Sequence, residues 1–206
     1  MATVDGERRT GVMRATDRGA GARRWRWNVD EYRRLDELGF FEDHKVELID
    51  GELYELTSNP PHDTSVSLTG RAMAAAFGAG YVVREEKTLD LGRRFQPHPD
   101  VAVVAGQTRD YALKHPTTAA LLVEVAESSL RHDRVVKAHR YAMAGIEDFW
   151  IVNLAERQLE IQRKPEPDPD RAGRFRYAEV TIVPADGYAS PLARPEARVA
   201  VADLLP

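Results

Sequence analysis

Two apolar runs, Val101 to Ala105 and Ala119 to Ala126, the second interrupted only by Glu124, limit the fold more than any other feature of the chain. Short runs without polar alternation suit strands buried on both faces. A sheet covered above and below needs helices, and the neighbouring sequence supplies three. Asn28, with Glu31 three positions on, forms a capping box; Leu35 and Leu38 follow at helical spacing and Gly39 ends the element. Pro60-Pro61 opens a second helix that carries Val66, Thr69, Met73 and Phe77 before Gly78 and Gly80 stop it. A third is expected from Asp133 to Gly145. Further strands are expected at Lys45 to Asp50, at Glu52 to Thr57 after an Asp50-Gly51 turn, and at Tyr81 to Leu91. Phe149 to Leu154 pairs with Gln158 to Arg163, the Pro-Asp stretch 165–170 reads as a loop, and Phe175 to Val183 is the last good strand. The fold class is α/β: a mixed sheet flanked by helices.

At 206 residues the chain is expected to form a single domain over 25–206. Before it, residues 1–24 read as a flexible tail rich in arginine (Arg8, Arg9, Arg14, Arg18, Arg23, Arg24). The absence of cysteine excludes disulfides, Cys-zinc sites, iron–sulfur clusters and thiol catalysis. No run approaches the ~20 apolar residues of a membrane span, and no apolar stretch follows the N-terminus as an export signal would. The expected location is the cytoplasm. Lys and Arg number 29 against 33 Asp and Glu, a net of −4, which argues against a generally basic nucleic-acid binder but allows a local basic patch. Gly19-Ala-Gly21 and Gly78-Ala-Gly80 lack the strand, helix and third glycine of a dinucleotide fingerprint, and no phosphate loop is present.

Acids stand where apolar residues belong. Glu124 interrupts the run Ala119 to Ala126; Glu47 lies within Val46 to Ile49; Asp100 follows Pro97-His98-Pro99 at the mouth of the Val101 strand. A buried carboxylate costs several kcal/mol unless it is paired or metal-bound. Each has a plainer reading: an arginine partner for Glu124, a turn acid for Asp100, a wet edge strand for Glu47. Together they point to a shared cation, and oxygen ligands without Cys or paired His favour Mg²⁺ or Mn²⁺ over zinc.

In the helix after Glu124, Asp133, Lys137 and Tyr141 recur every four residues along one face, so an Asp133–Lys137 ion pair is one expectation. Arg131, Arg134, Lys137 and Arg140 against Asp133 make a local net of +3, which suits phosphate contact or a solvated helix face. His62 opens a helix, either as an ordinary helix-start residue or as a contact to the site or to phosphate.

The ordered blocks Glu47-Leu-Ile-Asp-Gly-Glu52, His62, Pro99-Asp100, Val123-Glu124-Val125, Asp133-Arg134-x-x-Lys137-x-x-x-Tyr141 and Phe149-Trp-Ile-Val152 resemble the bacterial Uma family of restriction-endonuclease-like proteins. That family belongs to the PD-(D/E)xK nuclease superfamily, and the resemblance runs from about Trp25 to the C-terminus. It implies a restriction-endonuclease-like core and an endonuclease that hydrolyses DNA with Mg²⁺ or Mn²⁺. Asp100, Glu124 and Glu47 are implied as metal ligands and catalytic carboxylates. The superfamily lysine two residues after the second acid is replaced by Ala126, and Lys137 of the next helix matches the family's alternative position. Lys137 would orient or deprotonate the attacking water, or stabilise developing charge. Asp133, His62 and Tyr141 are implied around the ligands, and Arg131, Arg134 and Arg140 are candidate nucleic-acid contacts. A homodimer is expected, because cutting two strands takes two sites; the apolar Phe149-Trp150 region reads as an interface or, for Trp150 equally, as core. The competing reading is a nuclease-derived module that binds or regulates without cutting, and a smaller place is left for an enzyme of another class built on the same carboxylates.

Overall fold

A computed structural model describes residues 23–206. The N-terminal tail expected over 1–24 lies outside that range except for Arg23 and Arg24. Helix α1 (Val29–Glu37) begins as expected: the Asn28 side chain accepts from the Glu31 N–H at 3.0 Å, and Glu31 accepts from the Asn28 N–H at 2.9 Å. Strands β1 (Val46–Ile49) and β2 (Glu52–Glu55) form a hairpin closed by Asp50 and Gly51, whose φ values of 54° and 77° are those of a type I′ turn.

Helix α2 (Pro60–Phe77) is capped by Asn59 and leads into β3 (Tyr81–Glu85). β3 stops six residues short of the expected Leu91, because β4 (Phe95–Gln96) leaves for the other side of β1. β5 (Val101–Ala105) and β6 (Leu121–Ala126) are the two apolar runs. The third helix starts earlier than expected and is continuous through α3 (Leu130–His132), a π-helical stretch Asp133–Lys137 and α4 (Ala138–Met143). β7 (Asp148–Asn153), β8 (Gln158–Pro167) and β9 (Phe175–Pro184) follow. β8 runs on through Pro165 to Pro167, where a loop was expected. β7 begins at Asp148, opposite Arg163, so these prolines face β9 alone and their missing N–H groups break no ladder on the other side. The chain closes with β10 (Tyr188–Ala189), β11 (Val199–Ala200) and a 3-10 turn, Val201–Leu204.

The main sheet has the order β3-β5-β6-β7-β8-β9, with only β6 and β7 parallel. A smaller sheet, β2-β1-β4, stands apart from it. Alternation along the central strands splits the core in two. Val101, Val103, Val123, Val125, Trp150 and Val152 pack with α2 and the C-terminal turn. Ala102, Val104, Leu122, Ala126, Phe149 and Ile151 pack with α4 and with Ile49 and Phe95 of the smaller sheet. Phe149 and Trp150 are fully buried here, so they are core and not the interface once expected of them. No helix among the described residues is long and apolar enough to cross a membrane.

Candidate active site

The same alternation decides which face each acid joins. Glu124 lies between Leu122 and Ala126 on the face covered by α4. β5 and β6 pair antiparallel with Val101 opposite Val123, and one more step along that register sets Asp100 opposite Glu124. The Val125 N–H donates to Asp100 Oδ2 at 2.6 Å and fixes that carboxylate at the strand end. Glu47 sits in the middle strand of the smaller sheet, 1% exposed, so the wet edge-strand reading does not hold. Its Oε2 accepts from the His98 N–H at 3.0 Å.

Lys137 joins the two sheets. Its ammonium lies 3.0 Å from Glu124 Oε2 and 3.4 Å from Glu47 Oε1, and its side chain is 7% exposed. The expected Asp133–Lys137 pair does not form. The π-helical stretch spans these two residues, and the extra residue per turn removes the i, i+4 stacking on which that pair depends. Asp133 instead accepts from Ser129 Oγ at 2.7 Å. One turn along, Tyr141 donates to Glu124 Oε1 at 2.6 Å, so both oxygens of this buried carboxylate are engaged. The partner of Glu124 is therefore a lysine and a tyrosine, not an arginine. Ala126 is buried in the core.

Charge and burial compete throughout the cluster. Burial raises the Glu124 carboxyl well above its ordinary range; Lys137 opposes the rise, while Asp100, Asp133 and Glu47 add to it. Burial also works to lower the Lys137 ammonium, but Glu124, Glu47, Asp133 and Asp100 outweigh it and hold the amine protonated. Burial, then Glu124 and Glu47, push the Tyr141 phenol up, which keeps its donor proton in place. Asp133 is raised chiefly by burial, against Lys137 and the Ser129 hydrogen bond. His62 Nε2 lies 3.4 Å from Asp100 Oδ2, and that contact raises the imidazole against its own desolvation.

These groups line one cleft of about 490 Å³. Eight acidic side chains and two lysines face it, an excess of negative charge that suits a hard cation. Among the described residues, no three His, Asp or Glu side chains are grouped to hold a metal ion as they stand. Lys137 and Tyr141 occupy the oxygens of Glu124, while Asp100 Oδ1 accepts no hydrogen bond among the described residues. On one lip, Asn59 caps α2 through its carbonyl and donates its amide to Glu127 of the other lip at 2.5 Å.

Of the sequence-derived residues, Glu47, Asp100, Glu124, Lys137, Asp133 and His62 share the cleft, with Tyr141 directly behind Glu124. The three arginines do not line it. Arg134 makes a forked contact of 2.8 and 2.5 Å with buried Glu160, and Arg140 lies 5.1 Å from the Phe95 ring centre and 3.4 Å from Asp50. Arg131 is exposed and makes no ion pair among the described residues. Sequence reasoning missed His98, whose N–H holds Glu47, and Ser129, which holds Asp133. Ser129 was findable, four residues before Asp133 and immediately ahead of the helix; His98 had no signal beyond its flanking prolines.

Residues 29–200 match the family model described as "Uma2: Putative restriction endonuclease". No curated protein matches the chain. A solved structure from Anabaena variabilis, described as a "putative nuclease belonging to DUF820", superposes with a TM-score of 0.65 at 15% identity. The match covers 86% of this chain and 97% of that one, and at such identity it speaks for the fold.

Proposed function

Because the chain belongs to the Uma2 restriction endonuclease family, we propose that it is a metal-dependent endonuclease that hydrolyses phosphodiester bonds of DNA. The observation that carries this reading is the ammonium of Lys137 between Glu124 and Glu47, in a cleft that Asp100 also lines. The donors fit Mg²⁺ or Mn²⁺: carboxylate oxygens without thiolates, in surplus over the nearby cations. Asp100 and Glu124 would hold the ion and Glu47 would complete its shell. Once bound, the ion supplies a Lewis acid for the phosphoryl oxygens and an acidified water.

The chain's own groups do the rest. Lys137, kept protonated by its carboxylates, acts as a donor that offsets charge developing on the phosphoryl oxygens, rather than as a base. Tyr141 fixes the rotamer of Glu124, and the Val125 N–H with His62 orients Asp100. Ser129 keeps Asp133 turned toward the cleft. Arg131 has the exposure to meet a neighbouring phosphate, whereas Arg134 and Arg140 are committed to Glu160 and Asp50. Cutting both strands takes two clefts, so the working unit is a homodimer, acting in the cytoplasm.

The test is nicking of supercoiled plasmid with Mg²⁺ or Mn²⁺. Expected is metal-dependent nicking, abolished by chelator and in both Asp100→Ala and Glu124→Ala. Cleavage that persists in both variants refutes the assignment of the site. Binding to DNA with no product across several divalent metals overturns the hydrolytic reading in favour of a non-cutting module.

A further inference from the structure

The cleft has an aromatic wall beside its carboxylates. Tyr54 and His132 both line it. Antiparallel register sets Tyr54 of β2 directly opposite Glu47 of β1, so the two side chains share one face of the smaller sheet. His132 ends α3, immediately before Asp133. The two rings meet between that sheet and the helix, with centres 4.9 Å apart and planes at 56°. The Tyr54 hydroxyl donates to Glu52 Oε2 at 2.8 Å and fixes the outer end of its ring. Both side chains are only half-buried, so ring surface remains open to the cleft.

The carboxylates are recessed and the way to them is narrow. Glu47 and Glu124 are 1% and 2% exposed, and the lips above them already touch through Asn59 and Glu127. A cleft of about 490 Å³ equals a cube roughly 8 Å on edge, less than the width of about 12 Å of a B-DNA major groove alone. A duplex, stiff over about 50 nm, does not bring a phosphate to that floor with its bases still paired. The lining lysines are also engaged: Lys45 lies 2.6 Å from Glu86, and Lys137 is held by Glu47 and Glu124. What the cleft offers a strand is stacking surface more than free positive charge.

We propose that the cleft takes DNA as an unpaired strand (a flap, a bubble or the arm of a branch) and stacks one base on the Tyr54–His132 wall while the adjoining phosphate descends to the carboxylates. The proposal rests on the nuclease reading and names the form of DNA that it acts on. A nucleotide that is already unpaired enters at least cost, because no pair or stack has to be broken.

The test uses the full-length protein with Ca²⁺ in place of Mg²⁺, a single-stranded oligonucleotide carrying 2-aminopurine, and its blunt duplex. The emission of 2-aminopurine falls when the base stacks. The single strand should bind roughly tenfold or more tightly than the duplex, the cost of extruding one paired base, and its emission should drop. Tyr54→Leu, with unchanged circular dichroism, should weaken single-strand binding by roughly 5- to 150-fold, the range of one base–aromatic stack, and restore the emission; Tyr54→Phe should keep both. His132→Ala tests the same wall from the helix side and should also restore emission. With Mn²⁺, a flap should be cut in its unpaired arm and the blunt duplex left whole. A duplex bound as tightly as the single strand, or emission quenched equally in Tyr54→Leu and His132→Ala, overturns the stacking wall. Metal-dependent cutting of the blunt duplex overturns it too and leaves the nuclease reading standing. DNA neither bound nor cut in any form overturns both.

Discussion

Replacing Lys137 by Met removes the positive charge 3.0 Å from Glu124 and 3.4 Å from Glu47 while keeping a side chain of similar reach. At an effective dielectric of about 20, each contact is worth about 5 kcal/mol of gross attraction. Most of that only offsets the hydration lost when the three groups are buried. The measurable quantity is the penalty of stranding the carboxylates, about 3–5 kcal/mol for breaking a buried pair from one side. For a chain of this length, at about 2–4 °C per kcal/mol, the fall in Tm is on the order of 10 °C. Glu124→Gln should cost less, about 1–2 kcal/mol, because Lys137 keeps Glu47 and Tyr141 can donate to the amide oxygen. The double variant should lose less than the sum, by about 1–3 kcal/mol, since no charge remains at 124 to be stranded. Urea unfolding of all four proteins, followed by circular dichroism without divalent ions, completes the cycle. Additivity within about 0.5 kcal/mol, or a Lys137→Met protein as stable as wild type, would refute the claim that this ammonium is held by the two carboxylates.

Three further outcomes are expected. Mn²⁺ at 100 times its Kd should stabilise the protein by about 2.7 kcal/mol, read as a rise in Tm that Asp100→Asn and Glu124→Gln both abolish; no rise in wild type counts against a cation site in the cleft. Tyr32 donates to the Val46 carbonyl at 2.6 Å and burial pushes its phenol up to about 12. A raised folded value gives stability that is complete below the unfolded tyrosine value near 10 and lost as pH climbs through about 12, so alkaline unfolding should begin in that window and Tyr32→Phe should flatten it. Arg134→Ala leaves buried Glu160 with Asn153 alone and should cost about 1.5–3 kcal/mol in urea unfolding; an unchanged midpoint would mean that the forked contact contributes nothing.

Elements whose signal lies within a few neighbouring residues were legible in the sequence. The Asn28–Glu31 capping box, the Asp50-Gly51 hairpin and the two double-buried strands need no distant partner to be recognised. Elements defined by a partner were not. β4 exists because β1 offers an edge, β10 and β11 because they find each other, and β8 outlasts its prolines because β9 continues beside it. The π-helical stretch is hidden for a related reason. Asp133 and Lys137 have the spacing of an ordinary α-helical ion pair, and only the tertiary structure shows the π-helical turn that parts them and the Glu47 and Glu124 carboxylates that take Lys137 instead.

The sequence by itself determined that Glu124 interrupts a strand buried on both faces, where a bare carboxylate is too costly, and therefore that a compensating charge must exist; for Glu47 and Asp100 it left a wet edge and a turn open. It also set the faces: a period of two decides that Glu124 looks the same way as Leu122 and Ala126. Which charge answers was decided by tertiary structure. The lysine comes thirteen positions later in the chain, from a helix laid across the sheet, and meets a second acid carried by a separate sheet. Electrostatic attraction acts through space, whereas sequence patterns record only what is near along the chain.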